Sequence, residues 1–209
     1  LYILKHYPYK CRLKKKNKHG KTALMYAIRR EVEKVALEIL KYPNQCNLGH
    51  VSEYGCTALI LTIVYEMENV ALEILKYPNQ CKLYNAGNLF GHTSLMWAIC
   101  SKMEKVSLEI LKYPDQCNLD NINENNETAL IYAIDEEMEK VALEILKYPD
   151  KCKLNHVDDI GNTALILACN NYMNKAALEI FKYPDKCNLY HINKYGDTAL
   201  TLAIGKDQA

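Results

Sequence analysis

The stretch TALMYAIRREVEKVALEILKYPNQC, at residues 22–46, recurs almost unchanged along this chain of 209 residues. Its Thr-Ala-Leu motif (once Thr-Ser-Leu), its Tyr-Pro dipeptide and the cysteine that follows the proline each appear six times. Successive copies lie 35 residues apart, with a single step of 36. A fixed period of this size is typical of a repeat array, in which each unit buries its faces against its neighbours.

A single copy predicts a turn followed by two helices. Residues 17–20 suit a turn that ends on a left-handed residue, and Thr22 stands where a helix N-cap is favoured. We predict a short first helix after Thr22, a turn at residues 31–33 and a second helix over residues 35–40. Pro43 is expected to end that second helix, because the residue before a proline is pushed out of the α region.

The second helix has apolar side chains on more than one stripe, so we expect it to pack on several sides. In the copy at residues 123–157, Leu143 is predicted to lie in the core and Glu144 on the face left for water. On the same outer face of an earlier copy, Glu38 and Lys41 are three residues apart and are predicted to pair weakly.

This unit resembles the ankyrin repeat, in the pattern G-x-T-A-L-x-x-A, the helix–turn–helix after it and the turn-rich finger between copies. The resemblance covers essentially the whole chain. It implies an all-α repeat solenoid, an ankyrin-type helix–turn–helix array with turn or β-hairpin fingers. The predicted division is one domain with full repeats, numbered first to fifth here, between partial repeats at residues 1–16 and 193–209. The full repeats are 17–51, 52–87, 88–122, 123–157 and 158–192.

Two departures from the family pattern stand out. In the family's T-P-L-H motif, Ala23 and Met25 replace Pro and His. The usual glycine between the two helices is aligned here with Glu31, Glu66, Met103 and Glu137. Both ends of the chain fall inside a repeat, which predicts a fragment of a longer array or an array with degenerate caps.

Nine cysteines are present, and six occupy one equivalent position per copy. Packed helices lie roughly 8–10 Å apart, whereas a disulfide needs Cα atoms closer than about 7 Å. We therefore predict free, buried thiols at these six positions and an intracellular protein, cytoplasmic or nuclear. Cys56 falls at a position that is polar in every other copy and is predicted to be exposed.

No motif for chemistry is found. The chain has no Gly-rich phosphate loop, H-E-x-x-H, paired C-x-x-C or G-x-S-x-G. The six histidines occur one by one in turns and fingers and are predicted to be surface residues. We therefore predict a non-enzymatic protein with no cofactor and no metal site. A net charge of +1 implies no bulk attraction to nucleic acid or to a membrane, and no apolar run approaches the ~20 residues of a membrane span.

Positions that vary between copies are the candidates for function, because fixed positions hold the scaffold. Residues 1–30 contain no acidic residue and could meet phosphate or an acidic protein surface. Nucleic acid is disfavoured, because aromatic residues are not interleaved with these lysines. Leu89 and Phe90, followed by Trp97, are candidates for an apolar anchor. The alternative is that Trp97 only packs beside the tyrosines that share its position in other copies.

In the ankyrin family, the end of the first helix and the fingers line a concave groove. Carried over to this chain, the resemblance implies a groove that changes from basic to apolar to acidic, which suits one extended protein partner. Self-association is the alternative: a head-to-tail filament, favoured by the basic start and the acidic later repeats. The predicted partner-binding residues are Arg29, Arg30, Tyr54, Val64, Tyr65, Leu89, Phe90, Trp97, Ser101, Glu124, Asp135, Glu136, Asp159, Asn170, Asn171, Lys194 and Tyr195.

Overall fold

The computed structural model describes residues 2–85 and 90–206, and their regular elements are helices. The first helices of successive copies are α2 (Ala23–Arg29), α5 (Ala58–Val64), α8 (Ser94–Cys100), α10 (Ala129–Asp135), α12 (Ala164–Asn170) and α14 (Ala199–Lys206). The second helices are α1 (Tyr2–His6), α3 (Glu33–Leu40), α6 (Glu68–Leu75), α9 (Glu104–Ile110), α11 (Glu139–Leu146) and α13 (Asn174–Phe181). Single turns of helix, α4 (Pro43–Cys46) and α7 (Pro78–Cys81), follow two of them, and a 3₁₀ turn spans Pro8–Lys10.

The helices form two stacked layers. Each first helix packs on the first helix of the next copy, from α2 through α14, and each second helix does the same from α1 through α13. Within a copy the two helices also pack on each other, as α2 does on α3 and α10 on α11. One continuous apolar core therefore runs the length of the array, as a repeat solenoid requires.

The predicted N-caps are confirmed. The Thr22 hydroxyl accepts a hydrogen bond from the Met25 amide at 3.3 Å, which satisfies a backbone donor that the helix leaves unpaired. Such a cap typically contributes about 1 kcal/mol. The same bond forms, at 3.1–3.3 Å, at the equivalent threonines Thr57, Thr93, Thr128, Thr163 and Thr198.

The link between the two helices corrects one aligned position. A residue with φ between 52° and 56° turns the chain in every full repeat, at Glu31, Glu66, Lys102, Glu137 and Tyr172. In the third repeat this residue is Lys102 and not the predicted Met103, which is the N-cap of α9 and is 7% exposed. The error arose because a side chain with φ > 0 carries no signature comparable to glycine.

The fingers are closed turns and not paired strands. The Asn17 side chain accepts hydrogen bonds from the amides of His19 (2.9 Å) and Lys21 (3.0 Å), and Gly20 has φ +67°. A single antiparallel bridge, between Val157 and Thr163, is the strand-like pairing in the described residues. The predicted turn is therefore confirmed, whereas the described fingers contain no β-hairpin strands.

Each finger is also fastened to the preceding one, which the sequence reasoning missed. The His50 ring Nε2 donates to the Gly20 carbonyl at 2.6 Å, and His or Asn makes the equivalent bond in each later copy. The later bonds, each 2.8 Å long, are Asn85–Gly55, Asn121–Gly91, His156–Asn126 and His191–Gly161. Three of the histidines predicted to be surface residues therefore join neighbouring repeats.

The second helix ends before Pro43, as predicted, since α3 stops at Leu40; Pro43 then occupies the first position of the single turn α4, where a proline's missing N–H costs nothing. Two other expectations about single residues change. Leu143 is only partly buried, whereas Leu146 of the same helix is 0% exposed. Cys56 is partly buried and not exposed, and burial raises the pKa of its thiol.

All nine cysteines are free thiols. Burial raises the pKa of Cys46 to about 12, and the Cys46 thiol donates to the carbonyl of Ile39 at 3.1 Å. These thiols pack as small hydrophobic groups in the core, with thiolate formation suppressed. The buried members of the repeated set are Cys46, Cys81, Cys117, Cys152 and Cys187, while Cys11 is partly buried.

Candidate functional site

Residues from the fingers and from the ends of the first helices form an accessible strip, which we call the finger–helix surface. Sixteen of the seventeen predicted partner-binding residues lie in the described part of the chain, and none of those sixteen is buried. Leu89 lies outside the described residues. Along the chain the strip has a basic, an apolar, an aromatic and an acidic segment, followed by a last segment that begins in the fifth repeat.

The basic segment belongs to the first full repeat. Arg29 and Arg30, at the end of α2, line a pocket of about 630 Å³ together with Lys18, Lys21 and Tyr26. The Arg30 guanidinium lies over the Tyr26 ring at 5.4 Å and donates to its hydroxyl at 3.2 Å. The cation is therefore positioned by an aromatic ring, with no carboxylate bound to it in the described residues.

The next repeat continues the strip with apolar side chains. Four of the predicted residues line one pocket of about 210 Å³, which also includes Lys21 and Leu61. The Lys21 ammonium lies 5.7 Å from the centre of the Tyr54 ring, across the boundary between two repeats. The structure thus brings together the predicted Arg29, Tyr54, Val64 and Tyr65.

An aromatic cluster occupies the third and fourth repeats. The Phe90 ring, 53% exposed, meets the edge of Trp97 at a centroid distance of 5.9 Å. His92 lies 5.0 Å from Trp97 and 5.4 Å from Tyr132, and its Nε2 is 2.9 Å from the Tyr132 hydroxyl. His92 therefore contacts both Trp97 and Tyr132, so Trp97 has ring partners besides the tyrosines that share its position.

Sequence reasoning missed two members of this cluster. His92 was predicted to be a surface residue, but it is 6% exposed, and burial lowers the pKa of its imidazole. Tyr132 is one of the tyrosines that share the position of Trp97, and its hydroxyl accepts from Asn123 at 3.3 Å; Asn123 in turn donates to Glu127 at 3.2 Å, next to the acidic segment. The one sequence feature that marks His92 is its residue type: no other copy has a histidine at this position, where the residue is polar in every copy except at Cys56.

The acidic segment follows directly along the strip. Desolvation raises the pKa of the Asp135 carboxyl, and the nearby carboxylates Glu127, Glu136 and Asp158 raise it further. One lysine opposes this cluster, since the Lys102 ammonium lies 3.2 Å from Glu136. Negative charge is thus in local excess around Asp135.

In the last segment, several of the predicted residues make hydrogen bonds within the chain. The Lys194 ammonium donates to the Asp159 carbonyl at 2.6 Å, and Asn171 donates to the Ile134 carbonyl at 3.1 Å. Asn170 bonds Asn171 at 3.1 Å. Tyr195, by contrast, is 75% exposed. Ser101 and Glu124 complete the set as accessible residues of the third and fourth repeats.

The opposite, outer side of the second helices repeats the same pairs in copy after copy. The predicted Glu38–Lys41 pair is confirmed at 2.9 Å and recurs four times. A second ladder crosses between repeats, as in Lys105–Glu68 and Lys140–Glu104. This side presents the same satisfied chemistry at each step, whereas the finger–helix surface changes.

Neither a group of metal ligands nor a membrane-spanning helix is found among the described residues. Within residues 2–85 and 90–206, no three His, Cys, Asp or Glu side chains are grouped so that they could hold a metal ion. No helix of that part of the chain combines the length and the apolar character that spanning a membrane requires.

Comparison with known proteins places the fold. No protein-family profile matches the chain, and no curated protein matches it. A chain in the structure of the Bd0816 predatory endopeptidase from Bdellovibrio bacteriovorus in complex with immunity protein Bd3460 superposes with a TM-score of 0.65 and 22% identity, covering 93% of this chain and 94% of that one. The ankyrin repeat domain of Bcl-3, described as a unique member of the IkappaB family, gives 0.63 and 16%, covering 97% and 85%. The chain therefore has the ankyrin-repeat fold, an all-α repeat solenoid.

Proposed function

We propose that this chain is a non-enzymatic binding module or scaffold that holds one extended segment of a partner protein on its finger–helix surface. The observation that carries the proposal is the contrast between its two sides. The outer side repeats the same Glu–Lys pairs, so it offers a partner no way to distinguish one position from the next. The finger–helix surface differs at each repeat in charge and aromatic content.

The chemistry of the strip supports a protein ligand. Phe90 and Trp97 supply apolar area in the repeat before the acidic Asp135 and Glu136, and aromatic anchors dominate binding energy at protein interfaces. Fixed charges of both signs along one strip select for a partner of complementary pattern. One of the two similar structures is a complex of an endopeptidase with an immunity protein, which is compatible with this use.

The test compares proteins captured from the source cell by four forms of the chain. Proteins bound by the natural chain should be lost with Phe90→Ala and with the double variant Asp135→Lys/Glu136→Lys. We expect the anchor truncation to cost about 2 kcal/mol or more, roughly 30-fold in affinity. The matched control, Glu109→Lys/Glu144→Lys, makes the same charge change on the outer side and should capture the same proteins.

Two outcomes would contradict the proposal. If capture follows Glu109 and Glu144, the partner sits on the outer side. If no captured protein distinguishes the four forms, the finger–helix surface holds no protein. Far-UV circular dichroism of each variant checks that a loss of capture is not a loss of the fold.

Head-to-tail assembly stays an untested alternative, and the intracellular location stays a prediction from the free thiols. Sedimentation velocity at several concentrations separates the first from the binding function. A sedimentation coefficient that rises steadily with concentration would favour the filament, and one that stays constant would favour the binding module.

A further inference from the structure

All three arginines of the chain lie within residues 1–30, at Arg12, Arg29 and Arg30, and the other 23 cationic residues are lysines. These thirty residues carry ten of the 26 cations and none of the 25 acids. Arginine differs from lysine in presenting a planar fork of donors that matches a carboxylate or phosphate in bidentate geometry. All three arginines thus lie within the acid-free stretch that ends at Arg30.

Two neighbouring pockets collect these cations. The pocket that contains Arg29 and Arg30 shares Lys21 and Tyr26 with a second pocket of about 600 Å³, which adds Arg12. Among the described residues, no acidic side chain lines either pocket. The two together form a continuous concave basic surface on the first full repeat and the finger before it.

Lys21 is the central residue of this surface. It is 9% exposed, it lines both basic pockets and the apolar pocket of the next repeat, and its ammonium lies over the Tyr54 ring. A cation that is buried to this extent is normally paired with an acid. Elsewhere in the described chain, eleven lysines make ion pairs, from Lys41 onward, but Lys21 makes none.

A basic surface of this kind could bind either a nucleic acid or an acidic protein segment, and the rest of the strip distinguishes between them. Toward the fourth repeat the same strip becomes acidic around Asp135, so a uniformly anionic polymer lying along it would be repelled. Tyr26 is the one tyrosine that lines the two basic pockets and is already engaged by Arg30, so the described lining of these pockets has no row of tyrosine rings on which nucleic-acid bases could stack. An acidic protein segment meets both conditions, because its charge can end where the basic surface ends.

We propose that this basic surface is a carboxylate-binding site, which takes two or more Asp or Glu side chains from an extended acidic segment of a partner protein. Arg29 and Arg30 bind carboxylates at the rim, and Lys21 binds one deeper in the surface. This assignment rests on the proposed function and specifies the partner chemistry at one end of the strip.

The probe is a fluorescein-labelled hexaglutamate peptide, titrated by anisotropy in about 50 mM salt, where electrostatic contacts are weakly screened. We expect Arg29→Gln/Arg30→Gln to weaken binding by about tenfold or more, as the loss of charge-assisted hydrogen bonds implies. Arg29→Lys/Arg30→Lys keeps the charge but loses the forked donors, and should weaken binding by about threefold. Lys21→Met keeps most of the buried stem and should also weaken it.

The matched control is Lys82→Gln/Lys153→Gln, which changes net charge equally at two exposed lysines outside both basic pockets. Hexaglutamate should bind this control as it binds the natural chain. An equal loss in the control would mean that net charge alone is measured, and would overturn the site. Failure of hexaglutamate to bind the natural chain would overturn it as well.

A 12-nucleotide single strand of DNA serves as the second probe. Tighter binding of this DNA than of hexaglutamate, lost in the same arginine variants, would assign the surface to nucleic acid and refute the proposal. The carboxylate-binding site can fail while the proposed function holds, because the proposed function is tested separately: Phe90→Ala and Asp135→Lys/Glu136→Lys measure capture of the partner farther along the strip. If the double arginine variant does not fold, the Lys21→Met and lysine-for-arginine forms decide.

Discussion

Truncation of Leu146 tests the packing of the second helices most directly. Leu146 is 0% exposed at the end of α11, whereas Leu143 on the same helix is only partly buried. Leu-to-Ala changes at fully buried sites cost about 2–5 kcal/mol, from lost transfer energy and the cavity left behind. We therefore expect Leu146→Ala to cost about 3–4 kcal/mol and Leu143→Ala about 1–2 kcal/mol, since part of the Leu143 side chain stays in water.

The assay is urea unfolding followed by far-UV circular dichroism and by the fluorescence of Trp97, the one tryptophan of the chain. Trp97 lies in the repeat that precedes Leu146, so coincident transitions from the two probes show that the array unfolds as a unit. Leu111 occupies the equivalent position in the third repeat and is also 0% exposed, so Leu111→Ala is the matched control and should cost as much.

The result that refutes this reasoning is a larger loss for Leu143→Ala than for Leu146→Ala. That order would mean that α11 is rotated about its axis relative to the structure. Equal small losses at both positions would mean that the second helices are not packed on several sides. Glu144→Ala, at a solvent-facing position that pairs with Lys147 at 2.6 Å, should cost little in either case.

Three further predictions follow from the buried groups and the strained turns. Because burial lowers the folded-state pKa of His92 below its ordinary value of 6.5, the unfolded chain takes up the proton first, and stability should fall as the pH drops through about 6.5. The difference in thermal stability between pH 7.5 and pH 5.0 should therefore be smaller in His92→Asn than in the natural chain, and an equal difference would contradict this assignment. Glu137 has φ +56°, so Glu137→Gly should raise the free energy of unfolding by up to about 1 kcal/mol, and a loss in chemical denaturation would contradict the strain argument. Alkylation under denaturing, non-reducing conditions should label nine thiols, and native labelling should start at the exposed Cys100 and be slow at the buried set; three or more disulfides would overturn this assignment. The buried set is Cys46, Cys81, Cys117, Cys152 and Cys187.

The features that were predicted correctly from the sequence are local and repeated. Thr22 and its counterparts indicate a helix start because an N-cap involves only residues within four positions of each other. The same pattern occurs in six copies, which makes the prediction stronger than a single copy would. The second helix was harder. Its apolar residues surround the helix axis, so their periodicity does not show which side is most deeply buried, and Leu143 was taken as a core residue although it is only partly buried.

Contacts between copies divide into two kinds, and only one was available to sequence reasoning. The bond from His50 to Gly20 spans 30 residues, but it recurs with the period of the array. Comparing the copies as columns would have shown His or Asn at that position in every later repeat, and a column of one polar type beside a column of left-handed residues predicts a bond between them. Long-range contacts that recur in every repeat can therefore be predicted by comparing the copies with one another.

The aromatic cluster belongs to the other kind. His92 bonds Tyr132 across 40 residues, and no other described copy has this pair. A contact that occurs once leaves no column to compare, and the histidine was accordingly assigned to the surface. The same property makes the cluster a candidate for function, because the other repeats stack without it and the scaffold therefore does not require its side chains. In a repeat protein the residues hardest to place from the sequence are thus the ones where binding specificity is expected.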